Sequence, residues 1–175
     1  MTEIEIGRAK RGRRAYSFDD IAIVPSRRTR DPEEVSTDWQ IDAYRFRLPV
    51  LAAPMDSVMS PETAIALGNY GGLGVLNLEG LWTRYEDPWS LLEEVAGLRG
   101  TDATRRLQQI YQESIKPELI AERLREIRDA GVTVAGSLSP QRTKEYAKVV
   151  VDAGGGRLVV RGASGRAAPR SRPAR

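Results

Sequence analysis

Apolar residues along this chain fall into short clusters, and the clusters switch between two kinds of pattern. Val50-Leu-Ala-Ala53 and Leu73-Gly-Val-Leu76 are apolar on both faces, which suits parallel strands covered on both sides. Gly131-Val-Thr-Val-Ala135 and Arg157-Leu-Val-Val160 predict two further strands. Between them the period lengthens. Ser60-Pro-Glu-Thr places a capping hydroxyl before a proline at the first helical position, and the helix it opens ends near Tyr70-Gly-Gly72. Pro88 to Leu98 and Thr101 to Glu113 predict two helices, with Gly97 and Gly100 between them. Lys116-Pro117 opens another, whose Ile120, Leu124 and Ile127 recur at i, i+4 and i+7 opposite a charged face. Ser139-Pro140 repeats the cap-plus-proline start, and the helix to Ala153 turns Tyr146, Val149 and Val150 inward. Nearer the amino terminus, Tyr16 to Pro25 predicts a short strand closed by proline, and Asp38 to Ile41 a weaker one.

Strands alternating with helices predict an α/β fold with a parallel sheet. The order fits an open doubly wound sheet or the start of a (β/α)₈ barrel. A barrel takes at least about 200 residues, so on that reading these 175 residues are a partial barrel, about the first half, stopping after the fourth strand.

Composition narrows the chemistry. There is no Cys and no His, which excludes disulfides, thiolate ligands, a cysteine nucleophile, a Ser-His-Asp arrangement and most zinc sites. Apolar runs are far short of the about 20 residues of a membrane span, and Met1 to Lys10 lacks a signal core, so a soluble, cytoplasmic protein with no membrane partner is expected. The net charge of +3 is unevenly placed: residues 1–152 carry 21 basic and 24 acidic side chains, whereas Ala153 to Arg175 holds six Arg and no acid. Such a tail suits phosphate contacts but has no aromatic residue to stack a base. A Gly/Ala/Pro/Arg/Ser mixture equally describes a disordered or frameshifted end, and nucleic acid is not the expected partner.

In parallel α/β folds the carboxyl ends of strands carry the ligand groups. Three such loops are expected here: Ala53-Pro-Met-Asp-Ser-Val58, Asn77-Leu-Glu-Gly80 and Gly136-Ser-Leu-Ser139. The first sets a thioether, a carboxylate and a hydroxyl side by side. Met55 can pack on a flat ring while Asp56 and Ser57 orient polar groups. Alternatively, Met55 fills core and Asp56 caps backbone NH groups. Gly71-Gly-Leu-Gly74 opens a strand rather than a helix, the wrong order for a dinucleotide fingerprint. Adjacent carboxylates, Asp19-Asp20 and Glu93-Glu94, point in different directions and make no dyad. Trp82, Tyr85 and Trp89 form either an aromatic wall or packing beneath a connecting segment.

Tyr16-Ser-Phe-Asp-Asp-Ile-Ala-Ile-Val-Pro25, Leu48-Pro-Val-Leu-Ala-Ala-Pro-Met-Asp-Ser-Val58 and Gly71-Gly-Leu-Gly-Val-Leu76, in that order, resemble the amino-terminal part of the IMP dehydrogenase/GMP reductase family, nearest in character to its members without the CBS module. The resemblance runs from about Arg14 to Ala153, leaving residues 1–15 as a basic lead and 154–175 as the tail. It implies a (β/α)₈ TIM barrel and purine nucleotide redox chemistry, IMP to XMP with NAD or NADP, in a cytoplasmic homo-oligomer. Met55 then matches the methionine that packs on the nucleotide; Asp56 and Ser57 complete the motif. Ala53 stands where many dehydrogenases have serine, and Asn77 where they often have histidine, so a GMP reductase direction is the alternative. The family's cysteine lies after the sixth strand and its phosphate glycines on later loops. No catalytic residue is therefore assigned here, and the chain is expected to be an inactive half barrel, or else a non-enzymatic binding subunit.

Overall fold

The computed structural model of the protein describes residues 3–5, 11–13, 15–24, 31–41, 43–154 and 157–160. The chain divides into two compact units, residues 1–36 and 37–175. In the first, β1 (Glu3–Glu5) and β2 (Arg11–Arg13) pair antiparallel, with Ile4 opposite Gly12. The strand expected from Tyr16 to Pro25 does not form over its described residues. Asp20 turns its carboxylate back onto the Ser17 N–H and hydroxyl, both at 3.0 Å, and a 3-10 turn over Phe18–Asp20 replaces extended chain. A short polar side chain bonding its own backbone competes with a ladder in this way. Ile23 and Val24 follow with almost no cover.

The second unit opens with a hairpin of β3 (Trp39–Ile41) and β4 (Tyr44–Phe46), of which only β3 was expected. Trp39 stacks on Phe46 at 4.8 Å between ring centroids and donates its indole N–H to the Leu48 carbonyl at 2.7 Å. Parallel strands follow. β5 (Leu51–Ala52) pairs with β6 (Leu73–Gly74), and β7 (Leu76–Asn77), β8 (Ala135–Leu138) and β9 (Arg157–Val160) form a three-stranded parallel sheet in that order. The apolar run expected as one strand over Leu73 to Leu76 is thus shared between two sheets. No barrel closes among the described residues, and none of their helices is long and apolar enough to cross a membrane.

Helices α1 (Pro61–Asn69), α2 (Pro88–Gly97), α4 (Pro117–Asp129) and α5 (Pro140–Asp152) start where the prolines predicted, and α3 (Gly100–Ile110) starts one residue before the expected Thr101. Ser60 accepts the Thr63 N–H at 3.0 Å, a cap that satisfies one of the helix's free donors. Gly71, at φ +91°, ends that helix in a conformation a side chain would strain.

Strand alternation divides the core in two. On one side Leu76, Leu78, Val134 and Leu138 pack with Ile120, Leu124 and Ile127 of α4 and Val150 of α5. On the other, Leu73, Val75 and Ala135 meet Phe46, with Trp39 and Tyr44 alongside. Each fully buried Leu or Ile stabilises the fold by about 2 kcal/mol. Asn77 and Ser137 continue the second face toward the carboxyl ends of the strands. The loop expected at Gly136 to Ser139 is mostly strand: Gly136, Ser137 and Leu138 pair with β9, and all three are buried.

Candidate functional site

The backbone after β5 tightens at once. The Ala53 carbonyl accepts the Met55 N–H at 2.8 Å, and the Met55 carbonyl accepts the N–H groups of Val58 and Met59 at 2.9 and 2.8 Å. One turn therefore reverses the chain and delivers Met59, almost wholly buried, to the core. Met55 stays half exposed at 52%. The reading of Met55 as core filler is thereby set aside, because the core position belongs to Met59.

Asp56 ties this turn to elements far away in sequence. Its carboxylate accepts the Leu81 N–H at 2.9 Å and the Asn77 side-chain amide at 3.4 Å, and it also accepts the Tyr111 hydroxyl. Capping of backbone NH groups is thus part of its role, but the capped group lies 25 residues away. Gly80 makes the approach possible, since a Cβ there would lie 2.0 Å from Asp56 Oδ1. Asn77 is held in turn by its Oδ1, which accepts the Glu79 N–H at 3.2 Å.

Between this strand-end turn and the α2–α3 helical pair lies a cavity of about 490 Å³. Pro54, Met55, Asp56, Ser57, Asn77 and Leu81 form one wall; Leu92, Val95, Leu107 and Tyr111 form the other. Four of the five expected nucleotide contacts, Met55, Asp56, Ser57 and Asn77, therefore line one space, while Ala53 lies just before the turn and outside that lining. Ser57 is exposed, and no bond of its hydroxyl is found among the described residues. The cavity carries an apolar wall, a thioether, a hydroxyl and a half-buried carboxylate, a set suited to a flat heterocycle with polar edges.

The helical wall was missed by sequence reasoning. Its signal was present in α3, where Leu107, Ile110 and Tyr111 recur at i, i+3 and i+4 on an otherwise polar helix. The last carbonyls of this segment are satisfied by side chains: Tyr85 donates its hydroxyl to the Ile110 carbonyl at 2.9 Å, and Arg84 donates to the Glu113 carbonyl. The Arg84 guanidinium also lies 5.7 Å from the Tyr111 ring centroid. Burial first, then the bond to Asp56, hold the Tyr111 phenol well above the ordinary tyrosine value, against a smaller opposing effect of Arg84. Trp82 and Trp89 meet edge to face at 5.2 Å; they border a neighbouring cleft beside Ser57 and Ser60 rather than this cavity.

Comparison with known proteins settles the kinship. The IMP dehydrogenase / GMP reductase domain profile matches residues 15–168. The chain belongs to that family. The match continues past Ala153, through β9. Uncharacterised oxidoreductases of Mycolicibacterium smegmatis and Mycobacterium leprae are 44% and 46% identical over 164 residues, 91% of this chain. An inosine-5'-monophosphate dehydrogenase of Methanocaldococcus jannaschii is 35% identical over 65 residues, 37% of this chain and 13% of its own length. The crystal structure of an IMP dehydrogenase/GMP reductase-like protein from Corynebacterium glutamicum superposes with a TM-score of 0.78 at 43% identity, over 91% of this chain. The chain spans 44% of the length of the two mycobacterial relatives and of that structure. The α/β fold with parallel strands and outer helices is that of the IMP dehydrogenase / GMP reductase family.

Proposed function

We propose that this chain supplies the base-binding wall of a purine nucleotide oxidoreductase acting on IMP to give XMP, and that it forms the first half of a (β/α)₈ barrel. The supporting observation is the convergence of Met55, Asp56, Ser57 and Asn77, from the ends of two parallel strands, on one cavity of about 490 Å³. The exposed thioether of Met55 packs against the purine face. Ser57 offers its hydroxyl to the ligand, while Asp56 and Asn77, whose bonds are spent on each other and on the backbone of Leu81 and Glu79, hold the turn in shape. Val50 and Leu51, exposed beside β5, fit the open edge of a half barrel.

The chemistry of hydride transfer would come from NAD or NADP, which the family implies. The residues described here do not fit that group. The cavity lining contains no Lys or Arg to face a pyrophosphate, and Gly71 to Gly74 leads into β6 rather than opening a helix. With no cysteine in its sequence, the chain does not itself provide the family's nucleophile.

A second reading, reduction of GMP, draws on Ala53 and Asn77, the two positions that depart from the dehydrogenase pattern. Calorimetric titration of the purified chain with IMP and with GMP separates the two. Preference for IMP supports the first reading and preference for GMP the second. Met55→Ala is expected to weaken the preferred nucleotide about fivefold, a sulfur-ring contact of about 1 kcal/mol. Failure of the native chain to bind either nucleotide would overturn both.

A further inference from the structure

The network around Asp56 joins three separate pieces of chain: the turn after β5, the end of β7 with its following residues, and the carboxyl end of α3. Tyr85 and Arg84 hold the Ile110 and Glu113 carbonyls of the last piece to the segment after β7, but it reaches the turn itself through one side-chain group. The Leu81 N–H reaches Asp56 because Gly80 has no side chain, and Asn77 is set by its strand pairing with Ser137. Tyr111, 55 residues from Asp56, reaches it from a helix that buries only Ile110. The α2–α3 pair is joined within itself by Arg106, whose guanidinium bonds both oxygens of Glu94 at 2.7 and 2.8 Å. That bond fixes one helix against the other but fixes neither to the strand ends.

We propose that Tyr111 is a positioning residue for the nucleotide cavity: its hydroxyl, donated to the Asp56 carboxylate, is the tie that sets the α2–α3 pair against the strand-end turn and so fixes the distance between the cavity's two walls. The inference deepens the nucleotide reading, on which its ligand-binding consequence rests; the tie itself does not depend on that reading. Removing the hydroxyl leaves the ring, the Leu107 contact surface and the helix intact, so the walls separate without loss of apolar area. The carboxylate keeps the Leu81 and Asn77 donors and stays in place. A hydrogen bond to a charged acceptor is worth enough to shift a local opening equilibrium by about tenfold or more.

The test compares the full chain with Tyr111→Phe by amide hydrogen exchange in the absence of nucleotide. Residues 90–112 are expected to exchange about tenfold faster, while residues 55–59 of the turn and Ile120, Leu124 and Ile127 in α4 keep their protection. Uniformly faster exchange over α4 as well would mean a general loss of stability and would overturn the proposal. So would unchanged exchange over 90–112. Asp56→Ala added to Tyr111→Phe is expected to speed 90–112 no further than Asp56→Ala alone; additive effects would contradict a tie through that carboxylate. IMP titration of the same proteins then separates the two claims. Weakening of IMP by Tyr111→Phe, about tenfold, supports both. Native protein that binds neither IMP nor GMP yet shows the exchange pattern refutes the nucleotide reading and leaves the tie standing.

Discussion

The two walls of the cavity are built by different physics. The strand-end wall, Pro54 to Ser57 with Asn77, stands on β5 and β7, and the sheet behind it rests on Leu76, Leu78, Ile120 and Leu124, all at 0–1% exposure or close to it. The helical wall, Leu92, Val95, Leu107 and Tyr111, stands on two helices whose own buried residues are Pro88 and Ile110. One wall is fixed by core packing; the other is fixed by a few polar ties at its edge. Perturbing the core should therefore move both walls together, whereas perturbing a tie should move the helical wall alone.

The largest effect is expected in the core. Leu124→Ala, at a position with no exposure, should cost about 3 kcal/mol in urea denaturation, the sum of lost transfer energy and a cavity left behind. Leu107→Ala, at 38% exposure, should cost under about 1 kcal/mol by the same measurement while enlarging the cavity. Equal losses from the two would break the comparison. Next comes Gly80→Ala. Its Cβ would lie 2.0 Å from Asp56 Oδ1, so Asp56 must move, at a cost of about 2 kcal/mol. Crystals of that variant should show the Leu81 N–H parted from the carboxylate.

A smaller effect should follow pH. The bond from Arg106, first, holds the Glu94 carboxyl below its ordinary value of 4.5. Its contribution is thus present above the ordinary value and is lost as pH falls through the lowered one. The protection of α2 and α3, taken as exchange relative to the intrinsic amide rate at each pH, should fall on acidification below about pH 4.5, and Glu94→Gln should remove that dependence. Smallest of all is Glu126 on α4. Burial first, then Glu62, raise its carboxyl above the ordinary value, with Arg123 opposing. Its contribution is complete below the ordinary value and disappears as pH rises through the raised one. Glu126→Gln should therefore stabilise the protein at neutral pH by about 0.3 kcal/mol, discounted for a side chain 39% exposed, with the gain vanishing in acid.

What the sequence made legible follows the same division. Helix starts were readable because Ser60-Pro61 and Pro140 carry their chemistry locally, although the Ser139 hydroxyl makes no capping bond. The strand-end turn was readable because Pro54-Met-Asp-Ser57 sits directly after an apolar run. The register of β8 was not. Val132 to Val134 look like strand, yet the ladder begins at Ala135 and runs through Gly136, a residue of low strand propensity required there because a Cβ would lie 2.5 Å from the Leu78 side chain. Tertiary packing set that register, and no local pattern announces it. Tyr111 was hidden for a like reason: its partner Asp56 lies 55 residues earlier, and nothing in α3 names it. The basic tail beyond Val160 and most of the Arg-rich lead lie outside the described residues.

The most direct test of the two-walled nucleotide cavity is methyl NMR of the chain, labelled at Met, Leu and Val, during titration with IMP. The account predicts shifts at Met55 on one wall and at Leu92, Val95 and Leu107 on the other, saturating at one IMP concentration, with the core residues Leu76 and Leu124 unmoved. Shifts confined to one wall, or centred on residues elsewhere in the fold, would contradict it.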